Sequence, residues 1–509
     1  MVMPMDLGIR IGTDDSVRLL LEVTEGMDYR ELNAAYDRQT RADEATPKQM
    51  FQLVVFGFMN GRFATRALEA ACRNDIRFMY LLGGKRAPDH SRFASFIHDR
   101  LQGRAAEGLF YQLVKQLEAR GEIELANLFV DGTKIEANAN RYSFVWAKAV
   151  GKQEARLDEK LAVLLERLTR EYALMLPKGA PPEAYLAALQ ERASGVVFVH
   201  GRGKRKPQLQ RDVEALGECL ARKAKYKDYE AAFKGRNSFS KTDRDATFMR
   251  MKEDHLKNGQ LKPGYNLLLG VEGEYIVGVD ISSERSDEQT LLPLLKRMDK
   301  GLGRRHGAVT LDAGFESEEN YRGLEEREQA AYIKPQNYER SKTARYRNNA
   351  YLREHMPYDP EQDTYTCPAG NLFLPQGEKI RRSKSGFEAT VTVYECSGCE
   401  ACPQKKLCNR AKGNRKMEVS KAFIALRQAS LERITSEQGR ILRLNRSIQS
   451  EGVFGVLKQD YGFRRYLRRG EANVFTETLL YAMAFDINKL QAKITGDRCG
   501  CTLHLLSSA

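Results

Sequence analysis

Three acids stand in settings where a carboxylate can do chemistry. Asp131 closes the apolar run ELANLFV, and Asp312 closes AVTL, two short stretches of the kind that form buried strands. Each is followed within two residues by a glycine, Gly132 or Gly314. A carboxylate at a strand end projects from the sheet edge toward solvent, and the glycine lets the chain turn sharply there. Glu451 falls in a segment of helical period, with Ile448 and Phe454 three residues to either side to pack it down. Lys458 shares nearly the same helical face, since seven steps of about 100° make close to two turns. One acidic face with a lysine can therefore meet two strand-end aspartates.

Two hard cations held about 3.5–4 Å apart bind the attacking and leaving oxygens of an in-line displacement at phosphorus. Mg²⁺ and Mn²⁺ take carboxylate and water ligands, so three acids are the minimum set and no Ser, Tyr or His nucleophile is required. The bland reading stays open: Asp-Gly is a common turn dipeptide, and 68 acidic residues place some at strand ends by chance. Asp280, which closes YIVGV, reads as a sheet-edge or outer acid. The seven histidines are scattered, without a metal-ligand pair among them.

Five of the nine cysteines crowd together as Cys367 and Cys396-x2-Cys399-x2-Cys402-x5-Cys408. Thiolates at this spacing suit tetrahedral zinc, and Pro368, Gly370, Gly398 and Pro403 suit knuckle turns. A structural zinc held by four of the five is expected, with the spare thiol undecided. Cys499, Cys501 and His504 form a thinner, incidental cluster, and Cys72 and Cys219 read as helix-packing residues.

The chain of 509 residues carries 82 Lys and Arg against 68 Asp and Glu, a net charge of +14. That balance suits a polyanion, because each phosphate neutralised releases a counterion. Around Glu451 lie Arg446, Lys458, Arg464, Arg465, Arg468 and Arg469, candidates for DNA backbone contact. The aromatics between them, Tyr461, Phe463 and Tyr466, read as core, as does Trp146. The basic loop 201–208 reads as a phosphate contact or a solvated turn. No run approaches the length of a membrane span, and the N-terminus lacks the apolar centre of a secretory signal, so a cytoplasmic, nucleoid-associated protein with no membrane partner is expected.

The elements that must position these groups follow in blocks. An N-terminal helical domain occupies 1–120, with Asp89 or Ser91 as a helix cap. Parts of one catalytic domain occupy 121–151, 241–335 and 421–495. A helical insertion (152–240) and a cysteine-rich insertion without clear period (336–420) separate them, and 496–509 form a tail. Helices are expected at about 156–189, 287–298 and 422–459, the last as one long helix. Without the insertions, the order is strand, hairpin, helix, strand, helix, strand, helix. That is the order of the ribonuclease-H-like α/β fold, a mixed sheet with helices on both faces.

DGTKIEANANRYSFVW (131–146), LDAGFESEENY (311–321) and RSIQSEGVFGVLKQDYGFRRYLRRG (446–470) resemble the three catalytic blocks of the DDE transposases encoded by bacterial insertion sequences. The likeness is to the branch with a helical N-terminal domain and a cysteine-rich insertion before the final Glu block, and it covers about 45–490. It implies that Asp131, Asp312 and Glu451 are the three metal-binding acids and that Lys458 is the lysine of the E-x6-K signature, contacting DNA. The family often has an arginine four residues before that Glu; here the position is Ser447 and the nearest arginine is Arg446. The implied function is cleavage at the ends of a mobile element and transfer of the 3′-OH into target DNA. Two Mg²⁺ or Mn²⁺ ions, double-stranded DNA and a homodimer or larger assembly go with it. Two alternatives share these features: a zinc-containing DNA-binding protein without catalysis, and a metal-dependent nuclease without strand transfer.

Overall fold

The computed structural model describes residues 7–36, 41–177, 179–201, 204–251, 260–409 and 411–500. Among these, no helix is long and apolar enough to cross a membrane. The chain forms two compact units: one of Met1–Thr133, Asn266–Arg464 and Ala472–Ala509, the other of Lys134–Tyr265 and Arg465–Glu471.

The first unit begins with helices. Thr46 and Gln49 exchange side-chain and backbone hydrogen bonds in a capping box that starts α1, Pro47–Met59. Asp89, not Ser91, caps the helix His90–Ser95, its carboxylate accepting from Arg92 N at 2.8 Å. A π-helical turn, Phe96–Arg100, separates this helix from α2, Arg104–Ala119.

Strand β1 (Asn127–Glu136) follows. In the second unit, β2 (Phe144–Trp146) pairs with β3 (Ser238–Ser240) around the helices α3 (Ala147–Glu171) and α4 (Gln208–Phe233). These helices close on Leu157, Leu161, Leu168, Val213, Leu216 and Cys219. The helix expected over 156–189 is two, since the second (Pro182–Arg192) starts at a proline that cannot continue a helix. Trp146 packs against Phe144 and the buried Phe248, at 6.1 and 6.0 Å, but it is half-buried and Phe144 is exposed, so it lies at the edge of the core and not inside it. Of the basic loop, Arg202 and Gly203 lie outside the described residues; Lys206 pairs with Glu214 at 2.6 Å.

The main sheet adds β4 (Thr247–Arg250), β5 (Leu261–Glu272), β6 (Tyr275–Ser282), β7 (Ala308–Leu311) and β8 (Ala330–Ile333). Its order is β6-β5-β1-β7-β8, with β4 on the first residues of β5. β1, β7 and β8 are parallel, whereas β5 and β6 form an antiparallel hairpin. This is the mixed sheet of a ribonuclease-H-like fold. Every residue of β6 from Tyr275 to Ile281 is buried, at both parities of the strand. A strand buried on alternate sides has both faces covered.

Helix α5 (Leu291–Leu302) packs on β6, so close that a Cβ at Gly278 would lie 2.4 Å from Met298 Sδ. It starts four residues later than expected, because Asp287 belongs to the preceding turn. Beyond α6 (Glu318–Glu325), α7 (Lys421–Thr435) covers β8, and Ser430 Oγ accepts from Ile333 N at 3.0 Å. The single helix expected over 422–459 is also two. Ser436 ends α7 and caps α8 (Glu437–Gln459), and Gly439 sits where a Cβ would fall 2.7 Å from Ile434 Cα. The last helix, α9 (Glu471–Thr495), is buried almost continuously from Val474 to Ile487.

The cysteine-rich segment, without period in sequence, holds β9 (Tyr358–Asp359), β10 (Thr364–Thr366), β11 (Leu372–Arg382), β12 (Glu388–Cys396) and β13 (Lys416–Val419). They make one antiparallel sheet in the order β13-β12-β11-β10-β9. β11 is exposed along almost its whole length, so no apolar alternation was needed to specify it.

Candidate functional site

The parallel ladder between β1 and β7 ends at the pair Val130↔Leu311. Asp131 and Asp312 are the next residue on each strand, so the two acids leave neighbouring strands side by side, and strands in a sheet lie about 4.8 Å apart. β1 itself does not stop at Asp131, as the sequence suggested, but runs to Glu136; it is the pairing with β7 that stops.

The two acids have different surroundings. Asp131 is half-buried, accepts from Gly132 N at 2.8 Å, and lies 3.9 Å from Arg446 Nη1. Asp312 opens a short 3-10 turn, Ala313–Phe315, yet its side chain makes no capping bond. That leaves the carboxylate available to a ligand. The glycines beside the acids do not work as expected either. Neither Gly132 nor Gly314 has a positive φ, so the turn does not require them. What they lack is a side chain. A Cβ on Gly132 would lie 3.1 Å from Asp287 Oδ1, and one on Gly314 would lie 3.3 Å from Asp287 Oδ2. The pair makes room for a further carboxylate, held by Asn266 Nδ2 at 2.7 Å. Asp287 sits in the polar run SERSDEQ, which gives no period or motif to mark it.

Glu451 is exposed on α8, and Ser447 Oγ donates to its Oε1 at 3.1 Å. Phe454 is buried as expected, but Ile448 is 38% exposed and does not pack the helix down. Two other residues dock the helix. Lys458, on the same helical face, donates to Thr133 Oγ1 at 2.8 Å, and Thr133 is buried. Thr133 and Asp131 share one side of β1, being two residues apart. Arg446 of the same helix approaches Asp131, so α8 meets β1 through Arg446 and Lys458, while Glu451 stays exposed and bonds to Ser447 of its own helix rather than to either strand-end acid. Thr133 carries no chemistry of its own to single it out in the sequence.

The remaining basic residues are engaged with the backbone. Arg464 closes the end of α8, donating to Lys458 O at 3.2 Å, where a cation also meets the negative end of the helix. In the second unit, Arg465 donates to the carbonyls of Ala137 and Ala139 at 3.3 and 3.2 Å, and Arg469 to that of Asn138 at 2.7 Å. Arg468 is half-buried there. The interleaved aromatics are core: Phe463 stacks on Tyr481 at 4.0 Å, and Tyr466 meets Tyr265 edge-on at 5.7 Å. Asp280 is buried, with Arg297 Nε at 3.1 Å, a structural pair on the edge strand β6.

All five clustered cysteines line one cavity. Cys367 carries a knuckle: Gly370 stands at φ +81°, and Asn371 N donates to Cys367 Sγ at 3.3 Å. Gly398, at φ +79°, turns the chain between Cys396 and Cys399. One backbone N–H aimed at the Cys367 sulfur, and five thiols facing one cavity, make a donor set whose chemistry fits zinc. Burial and the neighbouring thiols of Cys399 and Cys367 push the Cys396 thiol well above its ordinary range. A cation in the cavity would reverse that effect. Arg415 Nη1 lies 3.1 Å from Cys408 Sγ. Cys72 and Cys219 are buried among helices, as expected; Cys499 is exposed, and Cys501 and His504 lie outside the described residues. Among the described residues, no group of three or more His, Cys, Asp or Glu is arranged as a ready metal site.

Residues 366–491 match the family model described as "Transposase DDE domain", and residues 6–99 match "Transposase domain (DUF772)". No curated protein and no solved structure matches the chain.

Proposed function

We propose that this chain, a DDE transposase by the families it matches at both ends, cuts phosphodiester bonds at the termini of an insertion sequence and joins the freed 3′-OH to target DNA. What supports the reading is that the β1–β7 ladder ends where Asp131 and Asp312 follow on neighbouring strands, with Lys458 of α8 bonded to Thr133, two residues along β1 from Asp131.

Asp131, Asp312 and Glu451 would hold two hard cations, Mg²⁺ or Mn²⁺, which supply charge neutralisation at the attacking and leaving oxygens. The chain's own groups do the rest. Thr133 fixes Lys458 beside the acids, where an ammonium group can hold a phosphate next to the scissile bond. Arg446 balances Asp131 until DNA and metal arrive. Asp287 and Asn266 keep the two strand ends in place. Four of the five cysteines hold a structural zinc within the insertion. Two element ends must be joined in one event, so the working form is a dimer or larger, acting on DNA inside the cell.

The test is a labelled duplex carrying one element end, incubated with Mg²⁺ or Mn²⁺ and target DNA, for the wild type and Asp312→Asn. Cut and joined products from the wild type alone, with DNA binding equal in both proteins, are expected. Cutting without joining would leave a nuclease, and binding without cutting would leave an inactive zinc protein.

A further inference from the structure

The β11–β12 hairpin offers a second DNA surface. Every residue of β11 from Leu374 to Arg382 is exposed. Lys379, Arg381, Arg382 and Lys384 place four cations within six residues, and Ile380 between them is 61% exposed. Each cation has an acidic neighbour at the surface: Glu418 for Lys379 and Arg381, Glu388 for Arg382, and Glu284 for Lys384 at 3.9 Å. Exposed pairs of this kind add little stability, so phosphate oxygens can take the place of these carboxylates.

The tip of the hairpin is fastened to the first turn of α6, the helix that follows Asp312. Ser385 Oγ lies 2.7 Å from both carboxylate oxygens of Glu319, in the first turn of α6, and Ser383 Oγ is 3.3 Å from one of them. Arg381, Arg382, Ser383 and Phe387 share a cleft with Glu288 and Ser317. Glu288 follows Asp287 directly, and Ser317 is five residues past Asp312. The hydroxyls of the tip, not its cations, occupy Glu319, which leaves the basic edge facing solvent.

From this we infer that the hairpin is a DNA clamp: it lies along the duplex flanking the bond at Asp131 and Asp312, with the four cations on phosphates and Ile380 against deoxyribose. A two-stranded ribbon is narrow enough to follow a groove of the double helix. The inference rests on the transposase reading, but its test does not need catalysis.

Binding of a labelled duplex spanning one element end is measured in EDTA across a salt series. The wild type is compared with Lys379→Gln/Arg381→Gln/Arg382→Gln/Lys384→Gln and with a control of equal charge change on α4, Arg222→Gln/Lys223→Gln/Lys225→Gln/Lys227→Gln. Each phosphate contact contributes about 0.9 to the slope of log K against log salt, so the hairpin variant should lose about three to four in slope while the control keeps it. Unchanged thermal unfolding of both variants shows that the fold persists. An unchanged slope in the hairpin variant, or an equal fall in the control, overturns the clamp. Normal clamp behaviour from a wild type that cuts no DNA would instead count against the catalytic reading alone.

Discussion

The carboxylate edge and the cysteine cavity, each proposed as a place for a cation, are built in two different ways. The cysteines are gathered locally: four of the five lie between Cys396 and Cys408, and glycine knuckles aim them at one cavity. Short loops close at little entropic cost, so a few turns suffice. The acids come from three distant stretches of chain, and the sheet sets only the first two side by side. Asp131 and Asp312 owe their pairing to the β1–β7 register, and α8 is tied to β1 beside them by Lys458 and Thr133. On the proposed reading a local thiol cluster would draw its stability from the metal, whereas the acid edge is shaped by packing that needs none.

The sharpest way to break this contrast is to remove one thiol. Cys399→Ser is expected to abolish zinc retention, and with it most of a binding free energy on the order of 10 kcal/mol at neutral pH. Protease sensitivity should appear across 366–416 while the melting of the main sheet is unchanged. The pH dependence should reverse with metal. In metal-free protein the raised Cys396 thiol keeps its proton in the folded state, so its contribution is full below the ordinary thiol pKa of about 8.5 and is lost as pH rises. In the zinc form the thiolates must stay deprotonated, so stability is lost as pH falls. Unfolding of both forms across pH 5 to 10, followed by near-UV circular dichroism, checks the two signs.

A smaller effect tests the acid edge from the other side. Thr133→Val removes the hydroxyl that holds Lys458 and should lower cleavage by about tenfold, some 1.4 kcal/mol, with metal affinity unchanged. Thr133→Ser should restore most of it. A Thr133→Val protein as fast as the wild type would show that Lys458 is positioned by DNA alone.

The two regions also differed in how far they could be read in advance. Apolar runs ending in Asp131 and Asp312 mark a parallel sheet edge, and the helical phase of Glu451 and Lys458 is visible because 3.6 residues make a turn. Asp287 was invisible because its role lies in the space left by two glycines of other segments. The break at Ser436 was missed because residues on both sides form good helix, and only the contact of Gly439 with Ile434 shows the corner. β11 of the insertion escapes the sequence for the opposite reason: a strand with both faces in water along nearly its whole length carries no hydrophobic period. The five cysteines, by contrast, could be read from spacing alone.

The central claim is that Asp312 is a metal ligand at the cleaved bond, and a ligand exchange tests it most directly. Asp312→Cys replaces a hard oxygen with a softer sulfur, which Mg²⁺ binds poorly and Mn²⁺ tolerates better. Cleavage of a labelled element end should fall by about a hundredfold or more in Mg²⁺ and recover substantially in Mn²⁺, while Asp312→Ala stays inactive in both. Equal loss in the two metals, or full activity of Asp312→Ala, would contradict the account.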